Sequence, residues 1–150
     1  MDIILIAAIT LDGFIARQSD EIITWSKDLK LFKEQTMGYF VIMGSNTEKT
    51  LAVELEDREK IVVHRDDNPQ EILRKIHSDK CFIIGGGRTY TKFAPFLTHI
   101  YITPHPIVFG KGIKLFTDLK RELYLQLEKT ITVNEKDGIF QYQYKVIKQF

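Results

Sequence analysis

An apolar run, Cys81-Phe82-Ile83-Ile84, stops on three consecutive glycines, Gly85-Gly86-Gly87, and resumes in Arg88-Thr89-Tyr90 as the start of a helix. A strand that hands over to a helix so abruptly restricts the chain to folds in which the two alternate. Glycines without a Cβ let backbone N–H groups approach an anion, and the helix that follows aims its unpaired N–H groups at the same place. Three adjacent glycines differ from the dinucleotide fingerprint G-x-G-x-x-G. A phosphate-binding turn and a plain strand-to-helix turn are both open from this segment alone.

The rest of the chain repeats the alternation. Ile3 to Ala8, Phe40 to Met43, Lys60 to Val63 and Ile100 to Thr103 are further short apolar runs bounded by turn residues, as in strands buried on both faces. Helical spacing is expected over Ser26 to Thr36 behind a Ser26 N-cap, over Asn68 to His77 opening on Asn-Pro, and over Thr89 to Phe96. The tail differs: Tyr124 to Val133 and Ile139 to Ile147 are β-prone and joined by a loop ending in Asp137-Gly138, which predicts a hairpin. The expected fold is α/β, a mainly parallel central sheet flanked by helices with a C-terminal antiparallel hairpin, in one domain over 1–150. No repeat or linker interrupts it.

Composition narrows the partners. With 21 Lys+Arg against 20 Asp+Glu, nothing in the charge calls for nucleic acid or an anionic membrane. The single cysteine, Cys81, rules out an internal disulfide and reads as a buried thiol. His64, His77, His99 and His105 show no metal-ligand spacing, so no metal is expected. The N-terminal run lacks a basic leader and is too short to span a bilayer, which leads us to expect a first strand and a cytoplasmic setting. A homodimer stays open.

Three other strand ends carry chemistry. Ala7-Ala8 ends a strand on small side chains, leaving room for a flat ring, before a turn at Asp12-Gly13 that leads into Ile15-Ala16. Met43-Gly44-Ser45-Asn46-Thr47 repeats the strand–glycine design, with hydroxyl and amide groups that serve either a phosphate or an N-cap. His64 and Arg65 place basic groups at the end of a third strand, as a phosphate fork or as solvated charge. Asp28 and Phe32 stand one helical turn apart, so a carboxylate and a ring can face one cleft; an acid in a first helical turn above a core phenylalanine is the alternative.

Taken in order, Ile6-Ala7-Ala8 with Asp12, Trp25 with Asp28-Leu29 and Phe32-Lys33, Val41 to Gly44 with Thr47, and Ile84-Gly85-Gly86-Gly87-Arg88 with Tyr90 resemble the dihydrofolate reductase superfamily over the whole chain. Ile102 to Phe116 leans towards a relative of the same fold, the reductase domain of the bifunctional riboflavin-biosynthesis deaminase-reductase. The resemblance implies an NADPH-dependent reductase that passes a hydride to a pterin-like heterocycle. It implies that Gly44, Ser45, Asn46 and Thr47, with Ile84, Gly85, Gly86, Gly87, Arg88, Thr89 and Tyr90, hold the cofactor phosphates. Ala8, Ile15 and Ala16 would then border the nicotinamide, and His64 and Arg65 the adenosine 2′-phosphate. It further implies a cis bond between Gly85 and Gly86. Asp28 would be the catalytic carboxylate, with Ile6 and Phe32 on the substrate ring, Thr103 supporting Asp28, and Arg58 pairing with a glutamate tail; a solvated charge run is the alternative for Arg58. Ser45 replaces the family's usual arginine, so NADH use stays open, and the stretch from Trp25 to Asp28 is shortened. A riboflavin-pathway reductase and a nucleotide-binding protein without turnover are the competing readings.

Overall fold

The computed structural model describes residues 1–51 and 55–147. The five apolar runs are strands, each a little longer than the run itself: β1 (Asp2–Thr10), β3 (Phe40–Gly44), β4 (Glu59–Val63), β5 (Lys80–Gly85) and β6 (His99–His105). The tail forms β8 (Tyr124–Asn134) and β9 (Ile139–Ile147). These seven make one sheet in the order β4-β3-β5-β1-β6-β9-β8. β1 runs parallel to β5 and β6, and β3 parallel to β4 and β5. The hairpin joins antiparallel through β9, which follows β6 only as far as Ile102. Two residues later stands Pro104, which has no N–H to donate to a neighbour.

Period-two side-chain alternation divides the core between the two faces of the sheet. Ile4 and Ile6 pack with Val41, Met43 and Phe82 on one face, while Leu5 and Ala7 pack with Ile42 and Ile83 on the other. The second face is covered by α3 (Pro69–Arg74) through Leu73, and by α4 (Gly87–Phe93) through Tyr90 and Phe93. Full burial of one such ring is worth roughly 1.5–3 kcal/mol. On the first face lies α1 (Leu29–Thr36), with Phe32 against the core. α1 is also tied to β9 by a reciprocal amide pair: Gln35 Nε2 donates to Gln141 Oε1 at 2.7 Å, and Gln141 Nε2 returns a bond to Gln35 Oε1 at 2.9 Å.

The structure corrects several local expectations. α1 begins at Leu29, with Asp28 and not Ser26 at the N-cap position; the backbone before it turns inward, where the Lys27 N–H donates to His105 Nε2 at 2.9 Å, and the first turn closes from the Phe32 N–H to the Asp28 carbonyl at 2.9 Å. α3 does keep the Asn68 cap, whose side chain accepts the Gln70 N–H, but it stops at Arg74 instead of running to His77. α4 opens two residues before Thr89, on the third glycine, and gives way to a 3-10 turn at Ala94–Phe96. Ser45–Thr50 is a short helix, α2, whose N-cap is Gly44 and not one of Ser45, Asn46 and Thr47. A small second sheet pairs β2 (Phe14–Ala16) with β7 (Ile113–Lys114). Among the described residues no helix is long and apolar enough to cross a membrane.

Candidate active site

Because β1, β3, β4 and β5 run parallel, their carboxyl ends open on one side, where open α/β sheets form their ligand crevice. A cavity of about 1520 Å³ lies there. One stretch of its wall is the paired glycine turns. β3 and β5 are neighbours, so the turn at Gly44 and the turn at Gly85-Gly86-Gly87 face one another. Their approach is close: a Cβ on Gly44 would meet Thr89 Oγ1 at 2.8 Å, and one on Gly85 would meet Thr47 Oγ1 at 3.1 Å. The Gly85–Gly86 bond is cis, as the resemblance implies. Gly87 cannot carry a side chain either, since its Cβ would stand 2.7 Å from the Lys114 carbonyl. Gly86 is different: a Cβ there meets only Thr47 Oγ1, at 3.6 Å, so it would project into open space between the turns.

The other expected cofactor residues complete this wall. Ser45, Asn46 and Thr47 line it from α2, Ile84, Arg88, Thr89 and Tyr90 from β5 and α4, and His64 and Arg65 from the end of β4. Lys92 lines it as well and is held by its ammonium, which donates to the carbonyls of His64 and Arg65 at 3.0 and 2.7 Å. Tyr90 is buried, and its hydroxyl donates to the Ile6 carbonyl at 2.8 Å, joining α4 to β1. Burial raises its pKa above the ordinary phenol range. Ala8, Ile15 and Ala16 supply an apolar border between the glycine turns and the far end.

Asp28 occupies that far end with Ile6, Leu29 and Phe32. An aspartate at an N-cap position ordinarily accepts an N–H from its own helix. Asp28 makes no such bond, and at 8 % exposure its carboxyl lines the cavity as an acceptor without a helix partner. Burial pushes its pKa up; positive charge on His105, the Asp28 backbone N–H and the Thr103 hydroxyl oppose that push in decreasing order. The hydrogen bonds of His105 leave the ring neutral, which removes the strongest of the three. Its Nε2 must accept the Lys27 N–H, so Nδ1 carries the proton it donates to the Thr103 carbonyl at 2.8 Å.

Two expected substrate residues are not in the cavity lining. Thr103 is fully buried behind Asp28, and its hydroxyl completes no hydrogen bond of regular geometry. Trp25 Nε1 is a second buried polar atom without a partner. Arg58 is tied to α1: Nε donates to Thr36 Oγ1 at 2.9 Å, Nη2 to the Lys33 carbonyl at 2.5 Å, and Nη1 to the Glu56 carbonyl. Asp12 also stays outside, where it fastens a turn. It accepts the Thr10 hydroxyl at 2.6 Å and the N–H of Gly110 at 2.8 Å, and the Thr10 bond is the first cause of its lowered pKa.

Sequence reasoning missed the wall contributed by residues 18–24 and by the segment 112–118 around β7. Gln18, Glu21 and Thr24 line the cavity from the first, Lys114, Thr117 and Asp118 from the second. The first stretch carries no pattern that marks it. The second does, in Gly112, whose Cβ would strike the Ala16 carbonyl at 2.4 Å and whose φ is +151°. That glycine lets β7 close on β2 beside the cleft.

The whole arrangement has relatives. A family model described as dihydrofolate reductase matches residues 2–149. The dihydrofolate reductase type 3 of Salmonella typhimurium is 32% identical over 119 residues, covering 69% of this chain and 71% of its own. Among solved structures, the dihydrofolate reductase of Enterococcus faecalis complexed with NADP(H) and RAB-propyl superposes with a TM-score of 0.77 at 21% identity, over 98% of this chain and 97% of that one. A Shewanella sp. PV-4 protein attributed to riboflavin biosynthesis superposes with a TM-score of 0.66 at 19% identity, over 99% and 100% of the two chains. Those two likenesses establish the fold. The match from residue 2 to residue 149, with a relative this similar over two thirds of both chains, makes this chain a member of the dihydrofolate reductase family.

Proposed function

We propose that the chain, acting as a single dihydrofolate reductase-like domain, is an NADPH-dependent oxidoreductase that transfers a hydride to dihydrofolate. The observation that carries the substrate end is Asp28, a buried carboxylate at a helix N-cap that caps nothing and lines the cavity beside Phe32 and Ile6. A flat ring with adjacent N–H donors is the complement of such a group. The carboxylate fixes the ring by charge-assisted hydrogen bonds, and it favours the protonated ring as charge develops there. Ile6 and Phe32 supply the apolar surfaces on which the ring rests. Arg58, anchored on the Thr36 hydroxyl and the Lys33 carbonyl of α1, is the cation for the substrate's carboxylate tail.

The residues present fit the cofactor. The open space at Gly86, bounded by Thr47, admits a pyrophosphate, and Ser45, Asn46, Arg88 and Thr89 bring donors to it. With Ser45 where the family's arginine usually stands, Arg65 reads the 2′-phosphate, assisted by His64. Bound there, NADPH supplies the hydride. Ala8, Ile15 and Ala16 would border the nicotinamide at the end of β1, and their apolar surfaces would help keep water from the reacting rings. A riboflavin-pathway reductase needs a cation for the ribosyl phosphate beside Asp28. Ile6, Leu29 and Phe32, which share that end, are apolar, and Arg58, the cation on α1, lies outside the cavity lining.

The test is purified protein with NADPH and dihydrofolate. NADPH oxidation is expected, with NADPH and methotrexate each raising the melting temperature by mass action. Reduction of the ribosylamino-pyrimidine in place of dihydrofolate would transfer the chain to riboflavin synthesis. NADPH binding without turnover of either substrate would make it a binding protein.

A further inference from the structure

Only Ser26 and Lys27 separate Trp25 from Asp28, which leaves few residues to set the direction of the carboxylate. No bond from α1 reaches the carboxylate itself; α1 holds Asp28 only through its carbonyl, which accepts the Phe32 N–H at 2.9 Å. Its orientation therefore depends also on the backbone immediately before it, and that side is held at Lys27. The Lys27 ammonium pairs with Asp137 at 2.9 Å, but both side chains are exposed at 58% and 36%, and such pairs hold weakly. The Lys27 N–H donates inward to His105 Nε2 at 2.9 Å.

His105 is built to receive that bond. It ends β6 at 3 % exposure, with Nδ1 on the Thr103 carbonyl at 2.8 Å and its ring edge-on to Trp25 at 5.3 Å. A ring fixed at Nδ1 and along its edge can present Nε2 in only one direction. The charged groups around it are the Asp28 carboxyl, the Lys27 ammonium turned out to Asp137, and the Arg17 guanidinium, which lies over Phe109 on the far side of Trp25. None competes for Nε2.

We propose that His105 is a positioning residue for the substrate carboxylate: by accepting the Lys27 N–H, its neutral imidazole fixes the backbone that aims Asp28 into the cavity. The kinetic consequence rests on the reading of the site given above; the structural one does not. His105 touches neither ring of the reacting pair, so its effect is confined to what Asp28 does.

Two amide variants separate this from a packing role. His105→Gln places an acceptor near the level of Nε2 and can still take the Lys27 N–H. His105→Asn reaches only the level of Nδ1 and cannot. In His105→Asn the KM for dihydrofolate should rise about tenfold, the effect of one lost buried hydrogen bond at about 1.4 kcal/mol, with a smaller fall in kcat and unchanged NADPH affinity. His105→Gln should stay within about twofold of the parent. Hydrogen exchange at the Lys27 amide reads the same bond without substrate, and should be at least about tenfold faster in His105→Asn than in His105→Gln or the parent. If the two variants share one KM and one exchange rate, the proposal is overturned. If the parent does not reduce dihydrofolate while the exchange rates still divide as stated, the functional reading fails and the positioning role stands.

Discussion

Asp28 concentrates a conflict between stability and chemistry. A buried carboxylate with no cap bond destabilises the folded state whenever it is ionised, yet the ionised form is what a cationic ring would meet. Asp28→Asn should leave NADPH affinity unchanged and lower single-turnover hydride transfer to dihydrofolate by at least about tenfold, roughly 1.4 kcal/mol in the barrier. The deficit should shrink in acid, where the substrate arrives already protonated. Turnover equal to the parent at neutral pH would reduce Asp28 to a helix-terminal acid. The stability of the ligand-free protein should move the other way. Because the folded-state pKa is raised, the parent holds its full stability below the unfolded carboxyl's pKa of about 3.9 and loses stability as pH rises from there through the folded value. Urea unfolding across that window should show Asp28→Asn gaining on the parent, then keeping a constant lead.

The glycine turns show how far single elements can be read from sequence. Their order and their contact with the cleft follow from the strand–glycine pattern at Gly44 and at Gly85-Gly86-Gly87, because apolar runs of that length with glycine stops have few other solutions. What each glycine does is not written there. Gly87 is required by the Lys114 carbonyl and Gly44 by Thr89, neighbours that belong to distant segments, whereas Gly86 has room for a methyl group. Gly87→Ala should therefore lose stability without ligand, by about 1–3 kcal/mol for forced overpacking, while Gly86→Ala should keep its melting temperature and lose the rise that NADPH gives. A Gly86→Ala protein that is still stabilised by NADPH as the parent is would exclude the pyrophosphate from this cleft. The start of α1 was illegible for the same reason. Ser26 has the composition of an N-cap, but the backbone at Lys27 is turned to His105, nearly eighty residues away, and the helix starts at Leu29. Local signals locate elements; long-range hydrogen bonds decide where they end.

At the scale of the molecule the substrate end is assembled from both ends of the chain. α1 follows Asp28 and carries Phe32, yet its one fully buried residue is Thr36, and it is joined to β9 by the amide pair with Gln141. Gln141→Leu removes both bonds of that pair. It should cost about 1–3 kcal/mol and raise the KM for dihydrofolate, with NADPH affinity unchanged because the glycine turns belong to other strands. Equal loss of both affinities would show that the hairpin supports the whole cleft and not α1 alone.

The sheet order also sets a timetable for the chain while it is being made. β1 leaves the ribosome first, but its partners are β5 and β6, which begin at Lys80 and His99. At the usual pace of about 5–20 residues per second, Ile4, Leu5 and Ile6 wait several seconds with nothing to pair against. A strand destined to be enclosed between two neighbours is thus the longest exposed, and a nascent chain halted before His99 should be held by chaperones, while one extended past His105 should begin to resist protease.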